Sequence, residues 1–269
     1  MSHIPPKAKQ SPSEAFQRLL TIMNTLREEC PWDRKQTMES LRHLTIEEMY
    51  ELADAILEND LEEVKNELGD LLMHLVFYAK IADEKNAFDI TDALNAVCDK
   101  LITRHPHIYG DTTVTDEQDV KNNWEQIKLQ EGNTSVLSGV PTSLPALVKA
   151  YRIQDKVRGI GFDWEDKKQV WEKVEEELGE FKAEFNIEDE ANIDLEKAEQ
   201  EFGDLLFSLI NYGRHMGINP ENALEKTNKK FIRRFNYLED KVSEHNLDFK
   251  SMSLEEMDIF WNEAKSKGL

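Results

Sequence analysis

The chain has 269 residues and a formal net charge of -21, with 39% hydrophobic and 32% charged residues. So large an acidic surplus repels polyanions, which argues against nucleic-acid polymers and anionic membranes as partners, though not against a small anion carried in with a divalent cation. Only 11 glycines and 8 prolines punctuate a sequence rich in Glu, Lys, Leu and Ala, which favours an all-α fold. No run approaches the length of apolar chain that crosses a bilayer.

Residues 1–13 are polar, carry Pro5, Pro6 and Pro12, and lack the apolar core of a signal peptide, so they read as a flexible tail. Cys30 and Cys98 stand far apart without a CxxC, as expected of reduced thiols in a cytoplasmic protein. Residues 14–28 place Phe16, Leu19, Leu20, Met23 and Leu26 at helical spacing, and Pro31 in Cys30-Pro31-Trp32-Asp33 breaks that helix. A second helix is predicted over 37–57, carrying Glu47-Glu48-x-x-Glu51, and Asn59-Asp60 signals a turn. A third, over 61–81, carries Glu67-x-x-Asp70 and then the apolar run from Leu71 to Ala79. A fourth, over 89–103, ends at Arg104-His105-Pro106-His107, where the histidines beside Pro106 read as loop-forming rather than metal-binding. Residues 120–130 form a short helix with Trp124, and 132–145, with Gly132, Gly139, Pro141 and Pro145, form a linker. Beyond it come a helix over 147–157 and the glycine-punctuated loop Gly159-Ile160-Gly161-Phe162-Asp163-Trp164. Two helices follow, one with Glu176-Glu177-x-x-Glu180 and one with Glu201-x-x-Asp204, separated by the polar stretch 186–194. Asn219-Pro220 opens a helix running to about residue 241, and a last short helix holds Trp261.

The strongest internal signal is repetition. EExxE recurs at Glu47 and Glu176, ExxD at Glu67 and Glu201, and Gly-Asp-Leu-Leu at Gly69 and Gly203. Lys100-x-x-x-Arg104 matches Lys230-x-x-x-Arg234, Trp124-x-x-x-Lys128 matches Trp261-x-x-x-Lys265, and Trp32-Asp33 is echoed by Asp163-Trp164. The order is the same in both halves, so two copies of one helical domain are expected, over 14–131 and 146–269.

Residues three apart on a helix lie roughly 60° apart around the axis. Glu177 and Glu180 therefore share one side of their helix, at the edge of the stripe Val174, Leu178, Phe181 and Phe185. Glu201 and Asp204 flank the stripe Phe202, Leu205, Leu206 and Leu209 in the same way. Antiparallel packing brings four carboxylates together, and such a cluster of like charges persists only with a cation in it. Hard oxygen donors in that number suit Mg²⁺ or Mn²⁺. With 54 acidic residues in the chain, one such pair is unremarkable on a solvated face; the duplicated arrangement carries the inference. Lys230 and Arg234 offer donors to a phosphate chain, and Trp261 can stack on a base or cover the site. The set suits metal-assisted hydrolysis of a nucleoside phosphate. A di-iron bundle would need Glu-x-x-His, and none of the seven histidines has Glu three positions before it. A P-loop NTPase is excluded by the lack of GxxxxGK[ST]. A helical nucleotide-binding regulatory module without significant catalysis is the alternative, against which the intact acids of both halves argue.

Cys30-Pro31-Trp32-Asp33-x-x-Gln36-Thr37, both EExxE…ExxD pairs, Arg104-His105-Pro106-His107-x-Tyr109-Gly110 and Gly161-Phe162-Asp163-Trp164 together resemble the MazG-type nucleoside triphosphate pyrophosphohydrolases. The resemblance implies an all-α fold, a four-helix core completed by homodimerisation, and Mg²⁺-dependent cleavage between the α and β phosphates to nucleoside monophosphate and pyrophosphate. It implies Glu177, Glu180, Glu201 and Asp204 as metal ligands, with Lys197 beside them. Lys230, Arg234 and Trp261 would contact the nucleotide, and Glu176 or Glu177 would help orient or deprotonate the attacking water. Glu48, Glu51, Glu67, Asp70, Lys100 and Arg104 would form a second site in the first half. Aligning Asp204 with Asp70 sets Lys197 against Glu63, so the second half is expected to dominate turnover.

Overall fold

The computed structural model describes residues 11–116, 119–120, 123–124, 127, 135–184 and 193–269. Among these the chain is all-α, without a strand. It divides into two compact units, Met1–Val114 and Thr115–Leu269. Residues 1–10 of the expected tail, 132–134 of the expected linker, Phe185 and Lys128 lie outside the described residues, as does most of the helix expected over 120–130, of which 120, 123, 124 and 127 are helical.

In the first unit, α1 (Pro12–Glu29) starts at a Ser11–Glu14 capping box, which satisfies two of the helix's orphan donors. It is held by a core of Met23, Leu41, Val76, Phe77 and Ile81. The Cys30–Trp32 break leads into a one-turn 3₁₀ helix, Asp33–Lys35. Arg27 fixes this corner. Its Nη1 donates to the carbonyls of Asp33 and Gln36, Nε and Nη2 donate to Glu84 at 2.9 Å, and the guanidinium lies 5.6 Å from the Phe77 ring centroid. Thr37 then caps α2 (Met38–Glu58). That helix stops where Asn59 adopts φ 56, a left-handed conformation Asn tolerates better than most residues. Asp60 caps α3 (Leu61–Glu84) immediately, so α2 and α3 form an antiparallel hairpin with a two-residue connection. After α4 (Ile90–Arg104), Pro106 does not sit in a loop as expected but at the first position of a one-turn helix, α5 (Pro106–Tyr109), where its missing N–H costs nothing.

In the second unit, α6 (Ala146–Arg158) is tied to its neighbour by buried Gln154, whose Nε2 donates to the Phe207 carbonyl at 2.8 Å. A loop follows in which Gly161 takes φ +85. Then come α7 (Lys167–Glu184) and α8 (Leu195–His215), packed as a second hairpin, followed by α9 (Pro220–Glu244) and α10 (Leu254–Ser266). Val170, Val174, Ala198, Leu205 and Ile210 form the buried seam of the hairpin.

The predicted apolar stripes are only half covered. Val174 and Leu205 are buried, and Phe181 meets Phe202 at 5.5 Å between ring centroids, but Leu178, Phe202, Leu206 and Leu209 remain exposed. In the first unit Leu68, Leu72 and Leu75 are exposed while Val76, Phe77 and Ala79 are buried. A two-helix hairpin covers one side of each stripe and leaves the other exposed among the described residues of its own unit.

Candidate active site

The second hairpin brings its acids together. One oxygen each from Glu177, Glu180 and Glu201 lie within 4.8 Å of one another. Glu177 and Glu180 sit one turn apart on α7, and Glu201 faces them from α8. Glu177 is 7% exposed. Asp204 is outside this trio but joins Glu177 on the wall of an adjoining cavity of about 190 Å³, lined also by Trp164, Val170, Lys173, Phe207, Ser208 and Asn211. Burial, then the charges of Glu177, Glu201 and Glu176, push the Glu180 carboxyl above its ordinary range, and Lys173 opposes them.

Lys173 belongs to the site although it stands outside the residues expected there. Its Nζ lies 2.6 Å from Glu177 and 2.9 Å from Glu176. These hydrogen bonds hold the ammonium well above the usual lysine range. The signal was present in the sequence as an i, i+4 Lys–Glu pair. Lys197, expected beside the ligands, instead makes its hydrogen bond and ion pair with Glu184 across the hairpin, with Glu201 within electrostatic reach. Glu176 points its carboxylate at Lys173 from the exposed edge of α7.

Of the residues expected to meet the nucleotide, Arg234 on α9 and Trp261 on α10 lie against one another. Arg234 Nε donates to the Leu269 carbonyl at 2.7 Å, and its guanidinium lies 5.9 Å from the Trp261 ring centroid. Trp261 also packs on Phe231, 5.0 Å between centroids, and Lys230 stands half-buried one turn before Arg234.

In the first hairpin the trio is Glu48, Glu67 and Asp70, again within 4.8 Å. Here the aspartate is in the cluster and the outer glutamate, Glu51, stands beside it. Glu67 is buried, its Oε2 has no hydrogen-bond partner, and its carboxyl is pushed up to about 7 by burial, by Glu48, and by the charges of Glu51 and Asp70. Glu51, Asp54, Glu58, Asp60, Glu63 and Glu67 line an open hollow of about 280 Å³ with Ala55. The residue matching Lys173 is Leu44. Lys100 is exposed on α4, and Arg104 is half-buried in its last turn.

Both clusters have the donor chemistry of a hard divalent cation: three carboxylates with an oxygen each within 4.8 Å of one another, one of the three buried, and in the first hairpin a buried oxygen with no hydrogen-bond partner. They differ in that the second carries its own ammonium.

The profile of the MazG nucleotide pyrophosphohydrolase domain matches residues 36–109. Over 255 residues the chain is 42% identical to the nucleoside triphosphate pyrophosphohydrolase of Escherichia coli (strain K12), covering 92% of this chain and 96% of that protein. It is 43% identical over 255 residues to the nucleoside triphosphate pyrophosphohydrolase/pyrophosphatase MazG of Thermotoga maritima, covering 93% of this chain and 95% of the relative. The crystal structure of a mazG-related protein from Thermotoga maritima aligns with 42% of this chain and 98% of its own, at 27% identity and a TM-score of 0.38.

Proposed function

Because the chain belongs to the MazG family of nucleotide pyrophosphohydrolases, we propose that it hydrolyses nucleoside triphosphates between the α and β phosphates, giving nucleoside monophosphate and pyrophosphate with Mg²⁺, or Mn²⁺ in its place. The observation that carries this reading is the Glu177–Glu180–Glu201 trio with Asp204 beside it and Lys173 hydrogen-bonded to its inner edge. Those four carboxylates are the groups that would hold the cation. When bound, Mg²⁺ supplies neutralising charge to phosphate oxygens and acidifies a water. Glu176, exposed and next to the cluster, would orient and deprotonate the attacking water. Lys173 offers a fixed positive charge where negative charge builds on the phosphates.

The second unit is the better catalytic candidate. Its cavity contains a lysine, whereas the hollow beside the first trio is acidic at six of its seven lining residues and repels a polyphosphate. The first trio remains suited to bind a cation. Mostly apolar walls around the second cavity supply few groups to tell one base from another, so turnover extends across ribo- and deoxyribonucleoside triphosphates. The uncovered rows Phe202–Leu206–Leu209 and Leu68–Leu72–Leu75 support a homodimer in which hairpin packs on hairpin to complete a four-helix core. No helix among the described residues is long and apolar enough to cross a membrane, and both cysteines are free thiols, which supports a cytoplasmic setting.

Product analysis over a nucleotide panel tests the reaction. Monophosphate plus pyrophosphate, lost on chelation, is the expected result; diphosphate plus orthophosphate refutes the assigned linkage.

A further inference from the structure

The two hairpins carry the same acids in different arrangements: Asp70 is a member of the first trio, whereas its counterpart Asp204 stands outside the second. A group of partly or fully buried polar side chains distinguishes the first hairpin at this point. Thr45 on α2 stands one turn before Glu48, and His74 and Tyr78 on α3 stand one and two turns after Asp70. Because the helices run antiparallel, these residues meet next to the trio, on the side away from the Asn59-Asp60 connection. Thr45 Oγ1 lies 2.8 Å from His74 Nδ1 and 2.6 Å from Tyr78 Oη, and His74 is 4% exposed.

The direction of these bonds follows from valence. A threonine hydroxyl donates once and accepts twice. Thr45 Oγ1 also lies 3.1 Å from the Leu41 carbonyl, which can only accept. Its hydrogen goes there, and it accepts from Nδ1–H of His74 and from the hydroxyl of Tyr78. Thr45 is thus the hub of a cross-helix bridge that uses all its hydrogen-bonding capacity. Sliding one helix along the other would leave a buried imidazole N–H unpaired, a penalty that selects one alignment. At the matching positions of the second hairpin stand Val174, Ser208 and Tyr212. Val174 has no hydroxyl, Ser208 Oγ turns back to the Leu205 carbonyl of its own helix at 2.9 Å, and Tyr212 packs on Trp171, 4.9 Å between ring centroids. The bridge and the inclusion of the aspartate therefore occur together in one hairpin, and among the described residues neither occurs in the other.

We propose that the Thr45–His74–Tyr78 bridge brings Asp70 into the first trio as a cation ligand, so that Thr45 and His74 are positioning residues that raise the cation affinity of the first unit. His74 acts through the alignment of the helices, since it is not among the donors that lie within 4.8 Å of one another. The assignment rests on the reading of the first trio as a cation site.

The test is Mn²⁺ binding, by calorimetry, to the full-length protein carrying Glu201→Gln, which disables the second trio and leaves the first. Thr45→Val removes the hub at nearly constant volume and is expected to weaken Mn²⁺ about tenfold, the scale on which losing a group that orients a metal ligand acts. Thr45→Ser keeps the hydroxyl and is expected to bind like the parent. A merely structural role lowers the melting temperature and leaves affinity alone, so the deciding measurement is a cycle with Asp70→Asn. That substitution should weaken Mn²⁺ when Thr45 is present and have little further effect on Thr45→Val. Equal effects in both backgrounds, or an unchanged affinity in Thr45→Val, would overturn the positioning role and leave the cation site standing. A Glu201→Gln parent that binds no Mn²⁺ overturns the cation reading of the first trio and the positioning role with it. Circular dichroism verifies folding; if Thr45→Val does not fold, Tyr78→Phe takes its place in the cycle, with a smaller loss expected in the same direction and no loss overturning the proposal.

Discussion

Removing the ammonium of Lys173 while keeping its length, as Lys173→Met does, exposes what that charge contributes. The lysine side chain is 35% exposed and Glu177 only 9%, so the pair lies between the surface and buried limits. Breaking a buried ion pair from one side costs about 3–5 kcal/mol, whereas an exposed pair is worth about 0–1 kcal/mol. Solvent at the lysine brings the expectation down to about 2 kcal/mol. For a unit of this size that lowers its melting temperature by about 4–8 °C. Chelated protein should show this loss, because Glu177 is left facing Glu180 and Glu201 without a counter-charge. At millimolar Mg²⁺ both proteins gain, the variant more because its uncompensated carboxylates hold the ion more tightly, and each tenfold difference in Kd returns about 1.4 kcal/mol of the deficit. Calorimetric melts of wild type and variant, with chelator and with Mg²⁺, therefore form a four-way comparison. The deficit should shrink markedly with metal. An equal deficit in both conditions, or none in chelator, refutes the idea that lysine and metal answer to the same carboxylates.

Asp204→Asn should fold normally and lose most triphosphate hydrolysis while Asp70→Asn keeps most of it; steady-state rates at matched Mg²⁺ check this, and the reverse order would relocate catalysis to the first unit. In chelated protein Glu67, with its folded carboxyl near 7, keeps a proton that the unfolded chain has released above the ordinary carboxylate range. Stability of the first unit should thus fall as pH rises from about 4.5 to 7 and flatten beyond, a slope that Glu67→Gln removes and that pH-dependent denaturation measures. Arg214→Met strips both Asn211 and Asp163 of their shared donor. With the two side chains of the ion pair 7% and 15% exposed, unfolding by denaturant should register a loss of about 3 kcal/mol, and an unchanged midpoint would mean the loop holds Trp164 without it. Phe202→Glu places charge in the uncovered row, and sedimentation should report a shift toward monomer if that row is the dimer seam.

Two helix boundaries were legible because they are chemically marked, at Asn59-Asp60 and at Asn219-Pro220, whereas the Ser11–Glu14 capping box starts the first helix at Pro12, inside the stretch expected to be tail. The carboxylate trios were legible for a similar reason, since spacing along each helix fixes which acids share a side. What spacing does not fix is the register between two helices. That register decides that Asp70 enters the first trio while Asp204 stands beside the second, and that Lys197 ends on Glu184. Periodicity also identifies an apolar stripe without saying what covers it, so the exposure of Phe202 and Leu209 came only from the packed hairpin. Thr45 stands one turn before Glu48 and His74 one turn after Asp70, spacings visible in the sequence; that the two meet depends on the packing of α2 against α3.

The two-residue connection at Asn59-Asp60 bears on the order of events in folding. Contacts between α2 and α3 are close in sequence, so the hairpin closes with little loss of loop entropy and forms on the fast timescale of local helical structure. Glu48, Glu67 and Asp70 are therefore driven together early, before most of the remaining core can compensate for their repulsion. Electrostatic strain then falls on the folding barrier as well as on the final state, and a divalent ion that meets the nascent hairpin speeds its formation rather than merely slowing its loss.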